Sequence, residues 1–237
     1  MKPLPHQKSS SLRHHSLPFS TTNRKRLCLA IAAQLMAAAA QAGPSGGEIV
    51  GGNGAISQSG LDTTINQVSH RLAIEWQSFN VASHERVTFV QPGQDAVALN
   101  RILGNEGSQI LGRIDANGHV ILMNPNGVFF GADAVVNVGG LVATGLNIDT
   151  SDFLNGQVLL EAVEGTAGTV INQGIIHAAT GGNVALIGTQ VTNSGLISAH
   201  LGHVALVSGQ QAVVTFDDQG LLGVAVDRET LESQMGG

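Results

Sequence analysis

VINQGIIHA at residues 170–178 with GNVAL at 182–186 is followed by a near copy, VTNSGLISA at 191–199 with GHVAL at 202–206. The offset is 21 residues from Asn172 to Asn193 and 20 from Val184 to Val204. A self-similarity of this length marks a stacked architecture and takes precedence over local propensity. Val184 with Leu186 and Val204 with Leu206 alternate with period 2, which predicts strands of three to five residues with Gly and Asn at the corners between them. Strands this short cannot form an independent sheet, but a coil of about 20 residues per turn lays each on its equivalent in the next rung. A leucine-rich solenoid would need an L-x-x-L-x-L pattern and a helical side, and an antiparallel sandwich would show hairpins without the repeat. The fold class is therefore all-β, a single-stranded parallel β-helix.

Asn172 and Asn193 are expected to lie one above the other, where stacked amides hydrogen-bond along the axis. Looser copies extend the pattern upstream. GHVIL at 118–122 aligns with GHVAL at 202–206, and NVGGLVA at 137–143 aligns with the Asn-x-Gly segment, which adds Asn137 to the expected stack.

Composition agrees. Of 237 residues 31 are Gly, while Phe 7, Trp 1 and Tyr 0 leave few rings. A core of Val, Ile, Leu and Ala at many similar positions suits thin stacked layers. Apolar content of 43% with 12% charge argues against disorder, and 6 Pro without a strict Gly period excludes collagen.

Charge divides the chain. Residues 1–42 hold Lys2, Lys8, Arg13, Arg24, Lys25 and Arg26 and no acid, leaving only Arg71, Arg86, Arg101, Arg113 and Arg228 against all 17 acids beyond them. Residues 43–237 thus carry −12 and no Lys, a surface that repels nucleic acid and anionic membrane. The basic run Arg24–Arg26, the apolar stretch 27–40 and the small-x-small Ala40-Gln41-Ala42 read as an extended signal peptide over 1–42, cleaved between Ala42 and Gly43. Its apolar stretch is shorter than the roughly 20 residues a bilayer-spanning helix takes. The one cysteine, Cys28, falls in this leader, and Lys25-Arg26-Leu27 before it do not make a lipidation site. The remaining chain has no thiol, forms no disulfide on export and stays threadable.

Residues 43–111 repeat less clearly: 86–90 alternates, 72–76 is mixed, and a short helix is expected near Ala96 to Leu103. This segment reads as an N-terminal cap with early rungs, and 112–237 as the rungs proper, with 43–237 one domain.

Asn124-Pro125-Asn126-Gly127 has the chemistry of a tight turn, with Pro presetting φ and Asn-Gly accepting the geometry that follows. In its context, NGHVILMNPNGVFFG at 117–131 with VGGLVAT at 138–144, the chain resembles the secretion domain of two-partner secretion exoproteins, the filamentous-haemagglutinin N-terminal domain also found on high-molecular-weight adhesins. IEWQSFNV at 74–81 and VALNR at 97–101 carry the same resemblance, which covers roughly 43–226. It implies a right-handed β-helix, exported through the general secretion machinery to the periplasm. There an outer-membrane β-barrel transporter with periplasmic recognition domains takes it to the cell surface or medium. It also implies that Asn124, Pro125, Asn126 and Gly127 form the secretion motif, acting in recognition or in folding. No second Asn-Pro-Asn element is present, which leaves the transporter subtype open.

Other constellations point away from catalysis. His200 and His203 have H-x-x-H spacing but fall in a corner whose counterpart at 180–183 has no His. Asp217-Asp218, with only Asp227 and Glu229 nearby, falls short of the six or more oxygens calcium takes. No catalytic residue, metal or cofactor is assigned. A polysaccharide-cleaving β-helix would need grouped carboxylates or Arg and Lys along a groove. The alternative is a short adhesin whose rung faces contact a host receptor or glycan. The end at Met235-Gly236-Gly237 suggests a fragment, an interrupted reading frame or a stand-alone domain.

Overall fold

A computed structural model describes residues 43–217 and 220–226. The leader reading of 1–42, including Ala42, and the acids Asp218, Asp227 and Glu229 lie outside the described residues.

Three sheets wind round one apolar interior. Sheet I holds Glu48–Gly51, Arg71–Trp76, Val97–Ile102, His119–Met123, Gly140–Thr144, Val184–Gly188 and Val204–Ser208 in spatial order. Sheet II holds Gly54–Ser59, Asp62–Gln67, Arg86–Val90, Arg113–Ala116, Val135–Val138, Ile175–Ala178 and Leu196–Ala199. Sheet III is shorter, with Ser108–Ile110, Val128–Phe130, Thr169–Asn172 and Gln190–Asn193. The chain runs II, I, III and back to II, and within each sheet neighbouring rungs are parallel: Val120, Leu141, Val184 and Val204 register in one column. The first two strands break this rule. Glu48–Gly51 and Gly54–Ser59 pair antiparallel with Arg71–Trp76 and Asp62–Gln67, so the chain covers its own first edge.

Alternation follows from this winding. In Arg86–Val90, Val87 and Phe89 point into the interior while the other three face outward. Few rings are needed; toward the N-terminal end Trp76 and Phe79 meet edge to face at 5.4 Å, and Phe89 is buried in the same core. The Trp76 indole N–H donates to Asn100 Oδ1 at 3.0 Å, satisfying a polar atom in the core.

The short helix expected near Ala96–Leu103 is instead the strand Val97–Ile102. Its period-2 signature is absent because both faces of sheet I are buried. After Thr144 the chain leaves the solenoid and returns at Thr169, so that Val128 registers with Val170, 42 residues on, where rungs without the excursion take 20 to 27. The excursion contains Asn147–Ile148, a short helix α1 (Thr150–Leu154) and Val158–Glu161. With Gln211–Asp217 and Gly220–Val226 its strands form a fourth, antiparallel sheet. This sheet covers the outer face of sheet I, burying Val97, Leu99, Ile121, Met123, Val142 and Ile187 against Ile148, Phe153, Val158 and Leu160 in a second core. Two-sided burial makes such strands continuous apolar runs, which periodicity alone does not tell from a buried helix.

The alignment of 137–143 with the Asn-x-Gly segment is also corrected. Asn137 lies in sheet II, registered with Asp115 and His177, whereas Asn172 and Asn193 lie in sheet III. The sheet III residue under Asn172 is Phe130. Asn137 therefore does not join the stack.

Corner glycines have a packing reason. At the turn from sheet II to sheet I, Gly118, Gly139, Gly182 and Gly202 stack so closely that a Cβ on Gly182 would lie 1.8 Å from the Gly139 carbonyl oxygen, and one on Gly202 equally close to that of Gly182. The close approach of backbones, rather than left-handed φ, demands Gly there.

Candidate functional site

The Asn124–Gly127 turn is the corner between sheets I and III. Gly127 N–H donates to the Asn124 carbonyl at 2.9 Å, closing the turn, and Gly127 has φ +109. That backbone is in the region L side chains avoid, and a Cβ there would also stand 3.0 Å from the Thr169 carbonyl oxygen and hydroxyl. Asn124 is completely buried. Its Oδ1 accepts the Asn126 N–H at 3.0 Å, while its Nδ2 donates to the Glu106 carbonyl at 2.9 Å and to Ser108 Oγ at 3.0 Å. Asn126 Nδ2 donates to the Gly104 carbonyl at 2.8 Å. The two amides thus tie the corner to the preceding rung. Pro125 and Asn126 are half-buried.

The corner is tied equally to the rung that follows. Asn124 N–H donates to the Thr144 carbonyl at 3.0 Å, and Gly168 N–H donates to the Pro125 carbonyl at 2.8 Å. These are the points where the excursion leaves and returns. Gly145 and Gly168 meet directly above the turn, a Cβ on Gly145 lying 2.1 Å from the Gly168 carbonyl oxygen. The turn is the seat on which the neck of the excursion closes. Gly104, Glu106, Ser108, Thr144, Gly145 and Gly168 were not singled out from sequence. The doubled spacing between Val128 and Val170, which shows an excursion inserted above this corner, emerges only from the register.

Two arginines from earlier rungs hold the excursion in place. Arg71 donates from Nη1 to the Phe153 carbonyl at 2.9 Å, and its guanidinium lies 5.5 Å from the Phe153 ring centroid. Burial lowers the Arg71 pKa from its ordinary value. Arg101 pairs with Glu75 at 2.8 Å and reaches Asn147 Oδ1 at 3.3 Å. Asp149 caps α1, accepting the Ser151 and Asp152 amides at 2.7 and 3.2 Å. The hydrogen bond from the Ser151 hydroxyl, with those amides, holds its carboxyl below the usual aspartate pKa.

The other residues singled out from sequence fall elsewhere. Asn172 is fully buried, and its Nδ2 donates to Asn193 Oδ1 at 2.7 Å, with the two residues in register. Asn137 donates to Asp115 Oδ1 at 3.2 Å on the outside of sheet II. Gly43, at the start of the described residues, lies beside the Glu85 carboxylate. His200 and His203 flank an exposed corner at which Leu201 has φ 56.

A family model described as TPS secretion domain matches residues 40–234. The heme/hemopexin-binding protein of Haemophilus influenzae strain Rd is 36% identical over 204 residues, which is 80% of this chain and 22% of that protein. A second Haemophilus influenzae protein of that name is 48% identical over 81 residues, 34% of this chain and 9% of its own length. The crystal structure of the HMW1 secretion domain from Haemophilus influenzae matches with a TM-score of 0.72 at 30% identity, covering 79% of this chain and 51% of that one. The chain spans about a fifth or less of the length of the two Haemophilus influenzae relatives it matches.

Proposed function

The chain belongs to the TPS secretion-domain family, and from that premise we propose that it directs a two-partner secretion exoprotein through a dedicated outer-membrane β-barrel transporter. In this reading residues 1–42 are the leader for the general secretion machinery, removed between Ala42 and Gly43. Residues 43–111 cap and start one solenoid that 112–144 and 169–208 continue, while 145–168, 211–217 and 220–226, expected from sequence to be rungs, build the antiparallel sheet that covers it; the exoprotein's effector part is an adhesin-like passenger. The domain's task is delivery, with no catalytic step assigned.

Asn124, Pro125, Asn126 and Gly127 serve export by fixing the fold, and are not an epitope read on the folded surface. The observation that carries this is the complete burial of Asn124 with each side-chain polar atom partnered. A partner touching the folded domain would meet only Pro125 and Asn126 there. A buried amide whose removal strands three polar groups acts instead on whether the corner forms at all. Folding of stacked rungs from the cap onward would then favour outward movement of the emerging chain, since each rung needs only its neighbour.

The test is co-expression with a cognate transporter and measurement of the protein in the medium. Asn124→Ala is expected to lower export together with stability, while Pro125→Ala, which retains every hydrogen bond of the turn, exports near the parent level. Loss of export in Pro125→Ala with unchanged unfolding would make the turn a docking epitope and reject the folding role.

A further inference from the structure

Sheet II carries a second feature, away from the Asn124–Gly127 corner. Thr64, Thr88, Asp115, Asn137, His177 and Ser198 are successive registered partners on its outward face, one hydrogen-bonding side chain per rung. Neighbouring strands lie about 4.8 Å apart, so the groups form a ladder parallel to the solenoid axis. Four of them, Thr88, Asp115, Asn137 and His177, line an open groove of about 430 Å³, with Ala116 and Ala179 among its apolar lining.

The middle of the ladder is braced. Asp115 accepts from Arg113 Nε at 2.6 Å and from Asn137 Nδ2 at 3.2 Å, and Arg86 Nε lies 3.7 Å away. The Thr88 hydroxyl, the Asn137 carbonyl oxygen and the His177 ring have no partner among the described residues. A rigid acceptor thus stands among free donors and acceptors at regular spacing, an arrangement already organised for a ligand.

The chemistry of the occupant follows by elimination. Arg86 and Arg113 are balanced by Asp115 and by Asp62, which registers with Arg86, so the face is locally neutral within a region carrying −12. An anionic polymer is repelled by that surrounding charge. A peptide adding as a strand needs a free edge, but Thr88, Asp115, Asn137 and His177 sit on strands paired on both sides. What remains is an extended, neutral, hydroxyl-rich chain whose repeat is close to the strand spacing. An extended β-1,4-linked pyranose glycan has that repeat, with hydroxyls for the ladder and C–H faces for the shallow apolar wall.

We propose that this groove binds a neutral β-1,4-linked glycan lying along the solenoid axis, one sugar per rung. The test is titration of the purified full chain with cellohexaose and, separately, chitohexaose, followed by calorimetry and by amide chemical shifts. The expected result is saturable binding of at least one hexasaccharide. The arm that binds tells whether plain hydroxyls or acetamido groups are preferred. His177→Ala removes a side chain that makes no internal bond, and should weaken binding about fivefold, the worth of one hydrogen bond. Asn137→Ala should do the same or more. Failure of both hexasaccharides to saturate, or binding unchanged in both variants, overturns the proposal. Because the measurement uses purified protein, it stands or falls independently of the export assay.

Discussion

Gly145 and Gly168 touch backbone to backbone directly above the Pro125 carbonyl, and between them the chain makes its whole excursion across sheet I. The neck is as narrow as two polypeptide backbones allow. Gly145→Ala forces the Gly168 carbonyl away from a Cβ placed 2.1 Å from it. Overpacking of this kind costs roughly 1–3 kcal/mol, and a lower urea midpoint with unchanged m-value is the expected readout. A midpoint equal to the parent's would show that the neck has slack.

Asn124→Ala strands Ser108 Oγ, the Glu106 carbonyl and the Asn126 amide in a buried corner. We expect a loss of about 1–3 kcal/mol in urea unfolding. Asn124→Asp is more informative: the carboxylate can still accept from Asn126 but cannot donate to Glu106. It should be at least as destabilising as Ala near neutral pH, and a parent-like Asp variant would mean that only the local turn matters.

Asn172 and Asn193 are bonded to each other but differ in burial, Asn172 being enclosed and Asn193 exposed. Asn172→Ala leaves the Gly174 amide without the side-chain oxygen it now donates to, and is expected to cost about 1–3 kcal/mol, against under about 1 for Asn193→Ala. Equal effects in thermal or urea unfolding would reject an asymmetric ladder.

Burial by itself would raise the Asp115 pKa, but the hydrogen bonds from Arg113 and Asn137, helped by the charges of Arg113 and Arg86, outweigh it and hold the carboxyl below the usual aspartate value. A depressed folded-state pKa contributes stability that is fully present above the unfolded aspartate pKa and is lost as pH falls through the folded one. The parent should therefore lose stability on acidification over that window more steeply than Asp115→Asn. Parallel pH profiles from denaturant midpoints would remove the carboxylate from the account.

Arg71 grips the excursion through the Phe153 carbonyl and ring. In Arg71→Met, cleavage within 145–168 during limited proteolysis should speed several-fold while the rungs stay protected, because the latch opens without disturbing the interior of the solenoid. Unchanged cleavage there would show that the second core alone holds the excursion down.

The repeats ending in GNVAL and GHVAL carry their period in the order of residues, so strand, corner and rung spacing were legible for the C-terminal rungs and for GHVIL at 118–122. The turn at Asn124–Gly127 was legible because Pro and Gly impose backbone geometry locally. Val97–Ile102 was not, since burial on both faces erased its alternation. Nor was Asn137, whose local likeness to an Asn-x-Gly corner is broken by an excursion that displaces the next sheet III strand.

Period and corner chemistry act between neighbours along the chain, so the order of residues specifies a solenoid of short stacked strands. The burial of Asn124, the neck that Gly145 and Gly168 close upon it, and the outward ladder from Thr64 to Ser198 arise only on folding. Those relations depend on which rung each residue joins, and one excursion of about two dozen residues shifts that assignment without leaving a local mark.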